Sequence, residues 1–204
     1  MKKFRTIALV AAPLVLALTL AGCAGSDEDT SMPGMDHGGI TSSAAPSAEV
    51  EGEFNTADSM FVMMMIPHHE QAVEMSDMIL AKDGIDPRVV DLAQQIKDAQ
   101  APEIELMQSW LDAWGMSDSG EMGGMDHGDG MMSDEDMSAL ESATGSEAAR
   151  LFLEQMIQHH EGAIEMADAQ LEDGINPDAL ALAQAIVEAQ AAEIATMKDL
   201  LTQI

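Results

Sequence analysis

"MIPHHEQAVEM", residues 65–75, returns almost unchanged as "MIQHHEGAIEM", residues 156–166, at an offset of 91. "DGIDP" (83–87) returns as "DGINP" (173–177), and "AQAPEIELM" (99–107) as "AQAAEIATM" (189–197), both now offset by 90. "GMDHG" (34–38) also returns 90 residues on, at 124–128. Similarity at a fixed spacing means one structural unit used twice. All six histidines fall at matched positions: His37, His68 and His69 in one copy, His127, His159 and His160 in the other.

Alanine, leucine, methionine, glutamate and glutamine, all strong helix formers, dominate the long segments. Runs of β-branched residues bounded by turns are scarce. In the first copy Gly84 suits the left-handed position past a helix, and Ile85 can pack back on the last turn. Asp86 is a good N-cap, and Pro87 fits the first helical position, where its missing N–H costs nothing. Gly174, Ile175, Asn176 and Pro177 repeat the device. Helices are expected over about 56–83, 87–113, 146–173 and 177–203. Two hairpins, neither able to bury its own apolar faces, predict an all-α four-helix bundle.

The remaining segments differ in kind. "MKKFR", an apolar run and "LAGC" follow the order of a secretory signal, and the run is shorter than the ~20 residues of a spanning helix. Leu20-Ala21-Gly22-Cys23 looks like a bacterial lipobox, and a lone free thiol in an exported protein is otherwise odd. The expected division is a signal peptide over 1–22, a tether over 23–54, hairpins over 55–114 and 146–204, and an acidic methionine-rich linker over 115–145. Tether and linker are polar and glycine-rich, a composition that favours disorder. The formal charge is −29, and loss of Lys2, Lys3 and Arg5 with the signal makes it −32. Such a surface disfavours nucleic acid and draws cations, without selecting one.

At about 100° per residue, His68 and His69 share the apolar stripe of Met65, Ala72 and Ile79, while Glu70 and Glu74 face water. His68, Met65 and Met75 gather on one edge of that stripe, and the second copy matches them with His159, Met156 and Met166 beside His160. On the partner helices Glu103 and Met107, and Glu193 and Met197, lie on faces shared with isoleucines. A glutamate on a buried stripe needs a partner, and a histidine on the facing helix would supply one.

Methionine stripes usually pack cores, and a single buried histidine is usually structural. Packing alone does not explain adjacent histidines flanked by methionines at matched sites. Thioether with imidazole suits Cu(I) and Ag(I), imidazole with carboxylate can hold Cu(II), and oxygen cages for hard cations are absent. Glu-x-x-His, H-E-x-x-H and the usual zinc spacings do not occur. The expected ligands are Met65, His68, His69, Met75 and Met107, and Met156, His159, His160, Met166 and Met197, with Glu103 and Glu193 holding histidine rings. In the polar segments Met35, His37, Met125 and His127 are either auxiliary ligands or plain linker composition.

The pattern M-x-x-H-H-x-x-A-x-x-M, here Met65 to Met75 and Met156 to Met166, resembles the family known as domain of unknown function 305. The later Gln100, Glu103, Ile104 and Met107, and their counterparts, match as well. The resemblance implies an exported, ferritin-like bundle, with copper binding and tolerance among some members. Pro67, where the second copy has Gln158, is the local departure. The expected function is a lipid-anchored copper protein that sequesters or relays Cu(I), with a copper donor or acceptor protein as partner, and not an enzyme. The alternatives are a metal-dependent oxidase on the same bundle and an interaction lipoprotein whose histidines merely pair with glutamates.

Overall fold

The computed structural model describes residues 52–116 and 130–204, which form five α-helices and no strand. In chain order these are α1 (Thr56–Leu80), α2 (Pro87–Ala113), α3 (Asp134–Ser142), α4 (Gly145–Asp173) and α5 (Pro177–Leu201). Helix α1 starts in a capping box: the Asn55 side chain accepts from the Asp58 N–H, and Asp58 accepts from the Asn55 N–H. It then continues through Pro67 without a break. Asp86 and Asn176 cap α2 and α5, each followed by proline in the first turn. Among the described residues no helix is long and apolar enough to cross a membrane.

Helix α1 packs on α2, α4 packs on α5, and the hairpins meet along α1 and α4. Those central helices run antiparallel. Gln170, near the end of α4, donates to Asp58 at the start of α1, while Met75 and Ile79 share a core cluster with Ala148 and Phe152 of early α4. That cluster fills one end of the bundle, and a second, around Phe61, Met65, Trp110 and Ile186, fills the other.

Two expectations need correction. Residues 115–145 are not all unstructured linker: α3 packs against α4 and α1, with Met132 and Leu140 buried in the first cluster. Gln71 anchors the approach by accepting from the Met132 N–H at 2.7 Å and donating to its carbonyl at 2.9 Å. A Ser133–Asp136 capping box starts the helix. The polar composition hides a short amphipathic helix that turns Met137 and Leu140 toward the core.

The second correction concerns the turns. Gly84 has φ 76°, as expected, and Ile85 is buried. Gly174 is extended, at φ −74° and ψ 158°, and Ile175 is 52% exposed. The reason is Asp58, a fully buried carboxylate that accepts from Gln170 Nε2 at 2.6 Å and from the Ile175 and Asn176 N–H groups at 3.1 Å. This tertiary acceptor replaces the local helix cap. Gly174 is needed there for room: a Cβ would stand 2.3 Å from Gln170 Nε2. Burial pushes the Asp58 carboxyl up, but hydrogen bonds from Asn55, Gln170, Asn176 and Ile175 outweigh it and leave it below the usual value.

Candidate metal centre

The antiparallel pairing of α1 and α4 brings the two copies of the histidine motif together at mid-bundle. His68 and His159, equivalent in the duplication, lie ring against ring with centroids 3.7 Å apart and planes tilted by 39°. All four helical histidines are fully buried. Neither ring nitrogen of His68 or of His159 has a hydrogen-bond partner within the protein. Buried polar atoms are rarely left so, because each costs on the order of 1–3 kcal/mol.

His69 and His160 are different. His69 Nε2 donates to Glu103 Oε2 at 2.8 Å, and His160 Nε2 donates to Glu193 Oε2 at 2.6 Å. A carboxylate only accepts, so Nε2 carries a hydrogen and Nδ1 is the nitrogen left facing away from the glutamate. Both Nδ1 atoms are buried without a partner. The glutamates thus orient the rings while remaining partly exposed themselves, at 27% and 21%. Histidine–glutamate pairing accounts for one ring in each motif and leaves the other without an explanation.

Burial, reinforced by the neighbouring His69 and His160, holds the His68 ring down to about 3, and burial likewise pushes His159 well below its ordinary value. Both rings are therefore neutral at physiological pH. A neutral imidazole is the form that ligates a metal.

The methionines are distributed across the copies. Met75 of the first copy shares its cluster with Met156 and Met197 of the second, whereas Met65 and Met107 share theirs with Met166. Of the motif methionines, each core cluster thus holds three drawn from both copies, and the duplication relates one trio to the other. Met65, Met75, Met107, Met156 and Met197 are fully buried, and Met166 only partly. Among the described residues no three His, Cys, Asp or Glu side chains converge as a metal-binding group. The donors that fit this centre are imidazole nitrogens supplemented by thioethers, a soft set. Cys23, Met35, His37, Met125 and His127 lie outside the described residues.

Sequence reasoning missed Asp58, which ties α1 to the α4–α5 turn. Its local signal was the Asn55-x-x-Asp58 capping box, but its long-range acceptor role leaves no pattern in the chain.

Fold and site define a class: a duplicated helical-hairpin bundle with neutral imidazoles meeting on its pseudo-twofold axis. The family described as Domain of unknown function (DUF305) matches residues 58–201, and the chain belongs to it. A DUF305 protein from Streptomyces coelicolor, named as a candidate secreted protein, is 34% identical with a TM-score of 0.67, over 72% of this chain and 93% of that one. A DUF305 fragment from Deinococcus radiodurans is 30% identical with a TM-score of 0.66, over 75% and 100%. CopM in its Cu(I)-bound form is 31% identical with a TM-score of 0.61, over 72% and 96%, and CopM structures with Cu(II) and with Ag are similar as well. No curated protein matches the chain.

Proposed function

We propose that this chain is an extracytoplasmic copper-binding protein, anchored to the outer side of the bacterial membrane through lipidated Cys23, that sequesters or relays Cu(I). The observation that carries the reading is the set of unpartnered imidazole nitrogens on His68, His69, His159 and His160, buried between groups of methionines. The ligands are those histidines with Met65, Met75, Met107, Met156, Met166 and Met197, while Glu103 and Glu193 fix two ring orientations. A ring fixed by a carboxylate on one nitrogen is a better base on the other, which strengthens metal binding. The neutral His68 and His159 rings bind without first losing a proton, and thioethers favour the reduced ion. CopM, with Cu(I) and Ag bound, supports the same chemistry here. The Streptomyces relative supports export. The ion is cargo, received from and passed to copper-carrying partners, and no residue is assigned a catalytic role.

The test is a Cu(I) titration of the chain cut after Cys23, against a competing chelator, beside a variant with His68, His69, His159 and His160 all changed to alanine. Circular dichroism confirms that the variant is folded. Tight binding by the parent that collapses in the variant supports the centre. Equal binding by both moves the site to the polar methionine-rich segments, and binding by neither ends the copper reading.

A further inference from the structure

A groove of about 420 Å³ opens between the start of α1 and the end of α4. Its walls include Met60, Phe61 and Met64 from α1 and Met166 from α4, with Glu165 and Asp173 on the same helix. The duplication allows a direct control. The offset of 91 carries Met60 to Leu151 and Met64 to Gln155, and carries Met166 back to Met75. At that other end α3 forms a roof: Gln155 Nε2 donates to the Asp136 carbonyl at 3.0 Å, and Met75 lies in the cluster with Met132 and Leu140. The same face is therefore roofed at one end and left uncovered by the described residues at the other.

Packing accounts poorly for Met60 and Met64 at the uncovered end. Met60 is 48% exposed, and Met64 and Met166 are partly exposed. A half-exposed methionine gains little burial, and the second copy manages with leucine and glutamine at the matched positions. Met60 and Met64 stand four residues apart on one helix face, close enough to act together. Met166 packs against the cluster of Met65 and Met107, so it joins the groove to the core cluster that holds those two motif methionines. The carboxylates nearby concentrate cations without competing for a soft one.

We propose that Met60, Met64 and Met166 form a surface site for a soft monovalent ion, Cu(I) or Ag(I), at the mouth of the buried histidine centre. The ion's destination rests on the function proposed above, whereas the surface site rests only on the groove. The ion moves inward by ligand exchange, thioether for thioether and then imidazole. No electron is transferred, and only the ion's ligands change.

The test follows Ag(I) titration of the full chain by nuclear magnetic resonance, reading the methionine ε-methyl and histidine ring signals. A variant with Met60→Leu and Met64→Leu keeps the apolar volume, and thermal unfolding checks its fold. In the parent, Met60 and Met64 should respond at the first additions. In the variant, the histidines should reach the same final state at least about tenfold more slowly, the scale on which groups around a metal alter its affinity. Histidine signals that move while Met60 and Met64 stay still, or a variant that loads at the parent's rate, would overturn the proposal. Methionine signals that move while the histidines stay silent would instead remove the buried centre, and with it the groove's role as an entrance.

Discussion

The two turns that close the hairpins are spelled almost alike and are held by different forces. "DGIDP" is self-sufficient: Gly84 takes the left-handed conformation, Ile85 tucks into the core and Asp86 caps α2 by accepting from the Arg88 N–H at 2.9 Å. "DGINP" depends on a distant residue, because Asp58 accepts its N–H groups from across the bundle and Gly174 stays extended. A local motif therefore guarantees the position of a turn but not the source of its stability. What decides between the two is whether a long-range partner comes within reach.

Acid should have the largest effect, since it acts on both copies at once. The folded values of His68 and His159 lie below the unfolded value of 6.5, so their contribution is fully present above pH 6.5 and is lost as pH falls below it, toward about 3 for His68. Urea midpoints of metal-free protein should decline steadily over that window. A variant with His68→Leu and His159→Leu should decline less. Asp58 also has a lowered value and contributes a further loss only at more acid pH.

The sharpest break in the comparison of turns comes next. Asp58→Ala strands the Ile175 and Asn176 N–H groups and the Gln170 amide, at a cost on the order of 4 kcal/mol. The change Asp86→Ala, at a partly exposed cap, should cost far less by the same denaturation measurement. Near-equal costs would mean that the two turns are held alike after all.

Leu140→Ala tests whether the α3 roof belongs to the core. Leu140 is fully buried, so the loss should be about 3 kcal/mol, with protease cleavage near α3 increased. A loss under half that would make α3 a loosely docked segment. The smallest contrast is between the glycines. Gly174→Ala pushes a Cβ into Gln170 and should cost about 2 kcal/mol. Gly84→Ala meets no atom within 4 Å and pays only for its positive φ, about 1 kcal/mol.

The histidine centre shows how far the chain could be read in one dimension. Matched motifs at one offset placed His68, His69, His159 and His160 on buried stripes, and the stray glutamates at 103 and 193 announced partners for two of the rings. The pairing of His68 with His159 could not be read, because it depends on α1 and α4 running antiparallel past each other. The same geometry mixes methionines from both copies at each flank, where the sequence suggested one ligand group per copy. Met60 carried no signal, and Met64, although it belongs to the methionine run before His68, falls outside the repeated motif and entered no ligand group.

The amino-acid sequence by itself determined the four long helices, the Asp86 and Asn176 caps with their following prolines, the duplication and the buried histidine stripes. Each of these depends on neighbours within a few residues or on a repeat spacing. Only the tertiary structure decided that Asp58 clamps the second turn, that α3 roofs one end of the central helix pair, and that two rings are left without partners. Those outcomes belong to atoms brought together from about 20 to more than 100 residues apart, and such distances leave no local pattern to read.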